Sequence, residues 1–233
     1  MLKPIKVNNR NIFPFKDKDQ FLDTIQDYNG ILIAMGAEKL LSTDKELISI
    51  VNDNIAYCDG FGAVYALKRK GAIAAKIPGA YFWLEIVRKF YKKKSFYLLG
   101  AKEDVLSETI TKLNTEFEGI NIVGSQNGYF ENEDDIIQDI LTKKPDIVFT
   151  ALGSPKQELL MQKLSKRHKA LYMGLGGSFD LYTGKSKPVP IWWNKVFKWE
   201  GLYRLLNDIT NIKRIKRQKI VFKYFSYMIK GKI

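Results

Sequence analysis

From about residue 20 the chain alternates short apolar runs with longer stretches whose apolar positions recur every three or four residues. Ile31-Leu-Ile-Ala, Ser95-Phe-Tyr-Leu-Leu, Ile120-Asn-Ile-Val, Asp146-Ile-Val-Phe-Thr-Ala and Ala170-Leu-Tyr-Met-Gly have the length and the branched or aromatic content of strands. Residues 44–51, 62–69, 80–91, 104–117, 134–141 and 156–167 carry the helical period between them. Strands and helices in this alternation form right-handed crossovers and a mostly parallel sheet flanked by helices. The pattern therefore predicts an α/β fold of Rossmann-like architecture.

The pattern changes after Gly184. Lys185-Ser-Lys-Pro-Val-Pro forms a stiff break, and a basic, aromatic helical stretch follows. We expect a core domain over 1–190 and an appendage over 191–233. At 233 residues and 45% hydrophobic content, the chain can bury one large core. The single cysteine, Cys58, excludes an internal disulfide or thiolate metal site, and the single histidine, His168, argues against a His-based triad or zinc site. The chemistry must then rest on carboxylates, amides, hydroxyls and backbone groups, with no cofactor or metal required. Two acidic clusters, Asn132-Glu-Asp-Asp and Asp17-Lys-Asp, read as helix caps or solvated surface.

The net charge of +13 is concentrated in the appendage, which holds eleven Lys/Arg against Glu200 and Asp208. Interleaved with these cations are Trp192, Trp193, Phe197, Trp199, Tyr203, Phe222, Tyr224, Phe225, Tyr227, Met228 and Ile229. Basic-aromatic segments of this kind lie in the interface of anionic membranes. They also bind single-stranded nucleic acid, but the aromatic density at the end of the chain favours a membrane. Exposed rings would also favour self-association into a homo-oligomer. No uncharged stretch is long enough to span a bilayer, and the N-terminus has no apolar signal region. We therefore expect a cytoplasmic protein, peripheral on the inner face of the membrane.

Three strands run into glycine-bearing turns: Leu99-Gly-Ala-Lys, Leu152-Gly-Ser-Pro-Lys-Gln-Glu and Gly174-Leu-Gly-Gly-Ser-Phe-Asp. In open α/β sheets phosphate ligands sit at such turns, against backbone N–H groups and helix N-termini. Gly100, Gly153, Gly176 and Gly177 are candidates for close approach to a ligand, and Lys156, Gln157 and Glu158 supply polar groups. The bland alternative for the second turn is a helix capped by Ser154. Asp180 could accept from ribose or sugar hydroxyls, and Tyr129 in Gln126-Asn-Gly-Tyr-Phe could stack on a base. A hairpin turn with two core rings is the competing reading for that last segment. Asp59 follows Asn54-Ile-Ala-Tyr-Cys at a strand-to-helix turn. It is placed either to act as a general base or simply to cap the next helix.

The ordered set Ala37-Glu-Lys, Cys58-Asp-Gly-Phe-Gly-Ala-Val, Ile77-Pro-Gly, Leu99-Gly-Ala-Lys, Asn127-Gly-Tyr-Phe, Leu152-Gly-Ser-Pro-Lys-Gln-Glu, Gly176-Gly-Ser-Phe-Asp, Gly184 and Glu200-Gly-Leu-Tyr-Arg-Leu resembles the WecG/TagA/CpsF glycosyltransferase family over about residues 30–217. The resemblance implies an inverting UDP-sugar transferase. Its acceptors would be undecaprenyl-diphosphate-linked saccharides of teichoic acid, enterobacterial common antigen, capsule or O-antigen. It also implies Asp59 as base, Gln157 and Asp180 in the donor pocket, Lys76 on the acceptor side, and Arg204, Arg214 and Arg217 facing the diphosphates.

Three segments depart from the family pattern. Ala34-Met-Gly-Ala-Glu-Lys stands for Thr-x-Asn-Ala-Glu-Lys, Lys76-Ile-Pro-Gly-Ala-Tyr81 for Arg-Val-x-Gly-x-Asp, and Pro188-Val-Pro for Arg-Ala-Pro. The lost hydroxyl, amide and carboxylate would orient a particular ring, so the family's N-acetylmannosamine specificity does not simply carry over: the expected donor is a UDP-linked hexose or N-acetylhexosamine, with the neutral hexoses UDP-glucose and UDP-galactose favoured. The same losses admit an inactive nucleotide-binding membrane adaptor as the alternative. If the appendage serves a membrane, the full-length chain should give no oligonucleotide gel shift at modest salt; a tight shift that salt abolishes would reverse that assignment.

Overall fold

The computed structural model describes residues 2–190, 192–193, 200–206, 210 and 212–231, without the side chains of Glu200, Arg204, Lys213, Arg214 and Arg217. In chain order the elements are β1 (Ile5–Val7), β2 (Arg10–Ile12), α1 (Lys18–Thr24), β3 (Gly30–Met35), α2 (Ala37–Leu41), α3 (Lys45–Asn52), β4 (Ile55–Cys58), α4 (Phe61–Arg69), α5 (Gly79–Phe90), β5 (Ser95–Gly100), α6 (Glu103–Glu116), β6 (Asn121–Gln126), α7 (Glu133–Lys143), β7 (Ile147–Ala151), α8 (Lys156–Ser165), β8 (Leu171–Gly174), α9 (Ser178–Tyr182), α10 (Glu200–Leu206) and α11 (Ile212–Ile229). β3 to β8 form one six-stranded sheet in the order β4-β3-β8-β7-β5-β6, and every pairing in it is parallel.

Burial on both faces explains why the strands read as unbroken apolar runs. Successive residues point to opposite faces: Ile55 and Tyr57 of β4, Phe96 and Leu98 of β5, and Leu171 and Met173 of β8 enter one core with α1, α5, α6 and α9. Their neighbours Ala56, Cys58, Tyr97, Leu99 and Tyr172 enter the other, beneath α3, α4, α7 and α8. The first core is aromatic. Phe15 stacks on Phe21 at 4.1 Å between ring centroids and Phe21 on Phe82 at 4.6 Å, so the N-terminal segment is pinned to α5.

Several elements were not visible as periodic runs. β1 and β2 pair antiparallel around Asn8 and Asn9, both at positive φ, a turn that asparagine tolerates well. Three residues per strand are too few to show a period. The turn after β6 leads into no return strand: β6 pairs with β5 in parallel register, and Tyr129 is 74% exposed, so the hairpin with two core rings is not what forms. The acidic clusters do cap helices, with Asn132 accepting from Asp134 N–H at 3.0 Å and Asp17 from Gln20 N–H at 2.8 Å. Pro155, rather than Ser154, occupies the N-cap position of α8.

The appendage helix α11 packs on α2 and α4. Tyr224 and Met228 are buried, Tyr224 donates its hydroxyl to Gly62 O at 2.8 Å, and Arg69 donates to Met228 O. Gly62 is required there, because a Cβ would lie 2.9 Å from the Tyr224 ring. Phe222 and Ile229 face outward with Lys219, Lys223 and Lys230, while Phe197 and Trp199 lie outside the described residues. Tyr224→Ala should lower stability by about 3 kcal/mol and open α11 to protease. A variant as resistant to limited proteolysis as the parent would show that this ring does not hold the helix.

Candidate active site

Lys76 lies between α4 and α5, whereas the loops that carry Asp59, Gly100, Tyr129, Gly153, Gly176 and Gly177 follow the carboxyl ends of parallel strands. An open cleft of about 330 Å³ lies there, lined by Ala101 and Lys102 after β5, Gly128 and Tyr129 after β6, Ala151, Leu152 and Lys156 around the β7–α8 turn, and Asp180 of α9. Its floor is tightly built. Gly100 has φ +120 and its Cβ position is filled by the Ala151 backbone, so only glycine fits. Ala101 N–H donates to Ala151 O at 3.2 Å and Gly128 N–H to Ala101 O at 2.8 Å, which laces the three loops together. Tyr129 N–H is held by the Asn127 side chain at 2.9 Å, which in turn donates to Glu103 at 2.7 Å. Lys156 lies over the Phe130 ring at 4.4 Å.

Tyr129, Lys156 and Asp180 thus line the cleft as wall residues, and Gly100 shapes its floor. Lys102 was not among the residues selected from the sequence. Its signal was the lysine that closes Leu99-Gly-Ala-Lys, where only the glycine was taken. With Lys156 it places two cations on one cleft, an arrangement suited to a polyphosphate.

Gln157 and Glu158 lie behind the cleft wall, 5% and 2% exposed. Gln157 Oε1 accepts from Gly153 N–H at 3.2 Å and from Gly176 N–H at 3.1 Å, and its amide donates to Glu158 Oε1 at 3.2 Å. The Gln157 side chain occupies the space where Gly174 would carry a Cβ, which is why β8 ends in glycine. Glu158 Oε1 forms an ion pair with Lys39 at 3.1 Å, and Lys39 also donates to Ala34 O at 3.1 Å. This relay ties the loops after β3, β7 and β8 to one another. Among the described residues, Glu158 Oε2 is buried without a partner. Gly177, at the N-cap of α9, lies 3.9 Å from Asp180 Oδ2 by its Cβ position.

Asp59 follows β4 at the edge of the sheet. It does not cap α4, whose N-cap is Gly60 with no side-chain hydrogen bond. Instead Asp59 Oδ1 accepts from Gly79 N–H at 2.7 Å, at the N-terminus of α5 twenty residues on. The helix end favours the ionised carboxylate and fixes its orientation. Ile77 N–H donates to Cys58 O at 2.7 Å, which brings Lys76 alongside, its ammonium 4.9 Å over the Phe61 ring. Burial pushes the Cys58 thiol up to about 12, with the Asp59 charge adding to the shift, so that thiol is inert. β8, whose following helix carries Asp180, stands two strand spacings from β4, and β7 and β5, which precede Lys156 and Lys102, stand three and four, so the two lysine-bearing strands are offset from the Asp59 strand by on the order of 15–20 Å. The side chains of Arg204, Arg214 and Arg217 lie outside the described residues. Among the described residues, no three His, Cys, Asp or Glu gather as a metal site, and no helix is long and apolar enough to cross a membrane.

A parallel sheet with glycine-bearing loops and two lysines at its carboxyl edge is the setting in which open α/β folds bind their ligands. Residues 12–232 match the model of the Glycosyl transferase WecG/TagA/CpsF family, and the chain belongs to that family.

The Lys39–Glu158 pair makes its own prediction. Lys39→Met leaves a buried carboxylate uncompensated and should lower stability by about 3–5 kcal/mol in urea unfolding, whereas Lys39→Met with Glu158→Leu should recover most of the loss. Equal stability of the single variant and the parent would mean that the pair does not hold the loops.

Proposed function

We propose that this protein transfers a neutral hexose from UDP-glucose or UDP-galactose, with inversion, to a polyprenyl-diphosphate-linked saccharide in surface-polysaccharide synthesis. The observation that carries the reading is the pairing of a cationic cleft with a helix-anchored carboxylate on the same edge of the sheet. In this reading the diphosphate lies against Lys102, Lys156 and the N-terminus of α8, the ribose or sugar hydroxyls reach Asp180, and the base stacks on Tyr129. The sugar then extends toward Asp59. Asp59 takes the proton of the acceptor hydroxyl as its oxygen attacks C1, and the bond from C1 to the phosphate oxygen breaks with its electron pair leaving on UDP. The lysines and the helix end neutralise that leaving group without a required metal. Lys76 and the appendage arginines would face the acceptor diphosphate. The outward Phe222, Ile229 and lysines of α11 would rest on an anionic membrane surface at the inner face of the cell membrane.

The reading is tested by UDP release from a panel of UDP-sugars, with a lipid-diphosphate N-acetylglucosamine acceptor, with and without divalent metal. Acceptor-dependent release with one hexose donor is expected. Asp59→Asn should lower turnover by about 10²–10⁴-fold while UDP binding persists. UDP binding with no release from any donor would favour the inactive-adaptor reading, and full activity in Asp59→Asn would remove the base assignment.

A further inference from the structure

Four tyrosines are fully buried in the core: Tyr57, Tyr97, Tyr172 and Tyr224. Three have a hydroxyl partner. Tyr97 donates to Asp139 at 2.7 Å, Tyr172 to His168 O at 3.0 Å and Tyr224 to Gly62 O at 2.8 Å. Among the described residues, the Tyr57 hydroxyl has none. A buried hydroxyl without a partner is unfavourable, and phenylalanine would fill the same space in an already aromatic core. The Tyr57 ring itself is well fixed, 4.9 Å from Phe21 and 6.2 Å from Phe82 between centroids.

The position of that hydroxyl is informative. Tyr57 lies on β4, and Asp59 follows the strand's end two residues on. Both converge on Gly79: a Cβ there would lie 2.6 Å from the Tyr57 oxygen and 3.4 Å from Asp59 Oδ1. The same Gly79 supplies the N–H that holds Asp59. Thus the carboxylate, the helix end and the buried phenol share one corner, and glycine at position 79 is what lets them meet. Met173 of β8 reaches the same corner, 3.5 Å from the Gly79 Cβ position, and brings no charge.

We propose that Tyr57 is a positioning residue for Asp59, its buried O–H dipole stabilising the ionised carboxylate in the rotamer set by Gly79. The inference rests on Asp59 acting as the base. Burial, together with the Asp59 charge, drives the Tyr57 hydroxyl well above its ordinary range, so the phenol keeps its proton and can act as a donor. Among the described residues, titratable groups near the corner include Cys58 on the opposite face of β4, Lys76 in the segment leading into α5, and Glu38 and Lys39 of α2, which begins beside Gly60. Tyr57 is the neutral donor that meets the carboxylate at Gly79.

A donor to the ionised form lowers a carboxylate's proton affinity, so its removal raises it. Tyr57→Phe should therefore move the acid limb of the kcat–pH profile upward by roughly one pH unit. The KM for the sugar donor should not change, and on the alkaline plateau kcat should approach that of the parent. Below the acid limb, where Asp59 is protonated and gains nothing from the dipole, the variant loses only an unpartnered hydroxyl and its Tm should equal or exceed the parent's. An acid limb that superimposes on the parent's overturns the proposal, as does a lowered Tm with an unchanged profile, which would mark a structural role. Asp59→Asn run alongside separates the two readings. If Asp59→Asn is inactive and Tyr57→Phe keeps the parent profile, only the Tyr57 proposal falls. If Asp59→Asn is fully active, both fall.

Discussion

The buried ion pair between Lys39 and Glu158, extended by Gln157, is the constraint on which the carboxyl edge of the sheet depends. Loops at strand ends are ordinarily the least restrained part of an α/β fold, because they leave the ladder and carry their own unpaired N–H groups. Here one buried side chain accepts from two of those groups, Gly153 N–H and Gly176 N–H, and passes the connection through Glu158 to Lys39. In a low-dielectric interior such a chain is strong when every link is made and costly when one is removed. The relay does not line the cleft; it fixes the distance between the loops that do.

Asp59 illustrates the same economy at the sheet edge. A carboxylate on a flexible turn would sample several rotamers. Accepting from the first N–H of α5 fixes one oxygen and sets it in the favourable field of a helix end. The geometry requires that α5 begin on a residue with no side chain, since Tyr57 already occupies the space. The sheet sets this carboxylate three and four strand positions from the β7 and β5 ends that lead into Lys156 and Lys102, on the same carboxyl edge.

The appendage is divided by burial. On α11, Tyr224 and Met228 are buried and Gln218 is nearly so, facing the core, whereas Phe222, Ile229, Lys219, Lys223 and Lys230 are exposed. One helix thereby satisfies two demands. Its inner ridge docks against Gly62 and the neighbouring turns of α4, close to the loop that carries Asp59, and its outer ridge offers apolar and cationic groups together.

The sequence by itself determined the architecture. The strand-like runs 31–34 and 95–99 fall inside β3 and β5, the run 146–151 covers β7 with Asp146 just before it, and the helical periods fall on α3 to α8, because burial on both faces of a parallel sheet leaves a strong local signature. It also marked the glycine turns, since only glycine fits where a loop backbone crosses another strand end, as at Gly100. Tyr129, Lys156 and Asp180 were legible as wall residues for the same reason. Three things came only from tertiary structure. Asp59 is capped by a helix twenty residues away, Gln157 and Glu158 are buried ties joined to Lys39, and α11 is docked through a tyrosine onto a glycine 162 positions earlier. Each joins residues distant along the chain through geometry that crossovers of the sheet create. No local period or propensity encodes which loops those crossovers bring side by side.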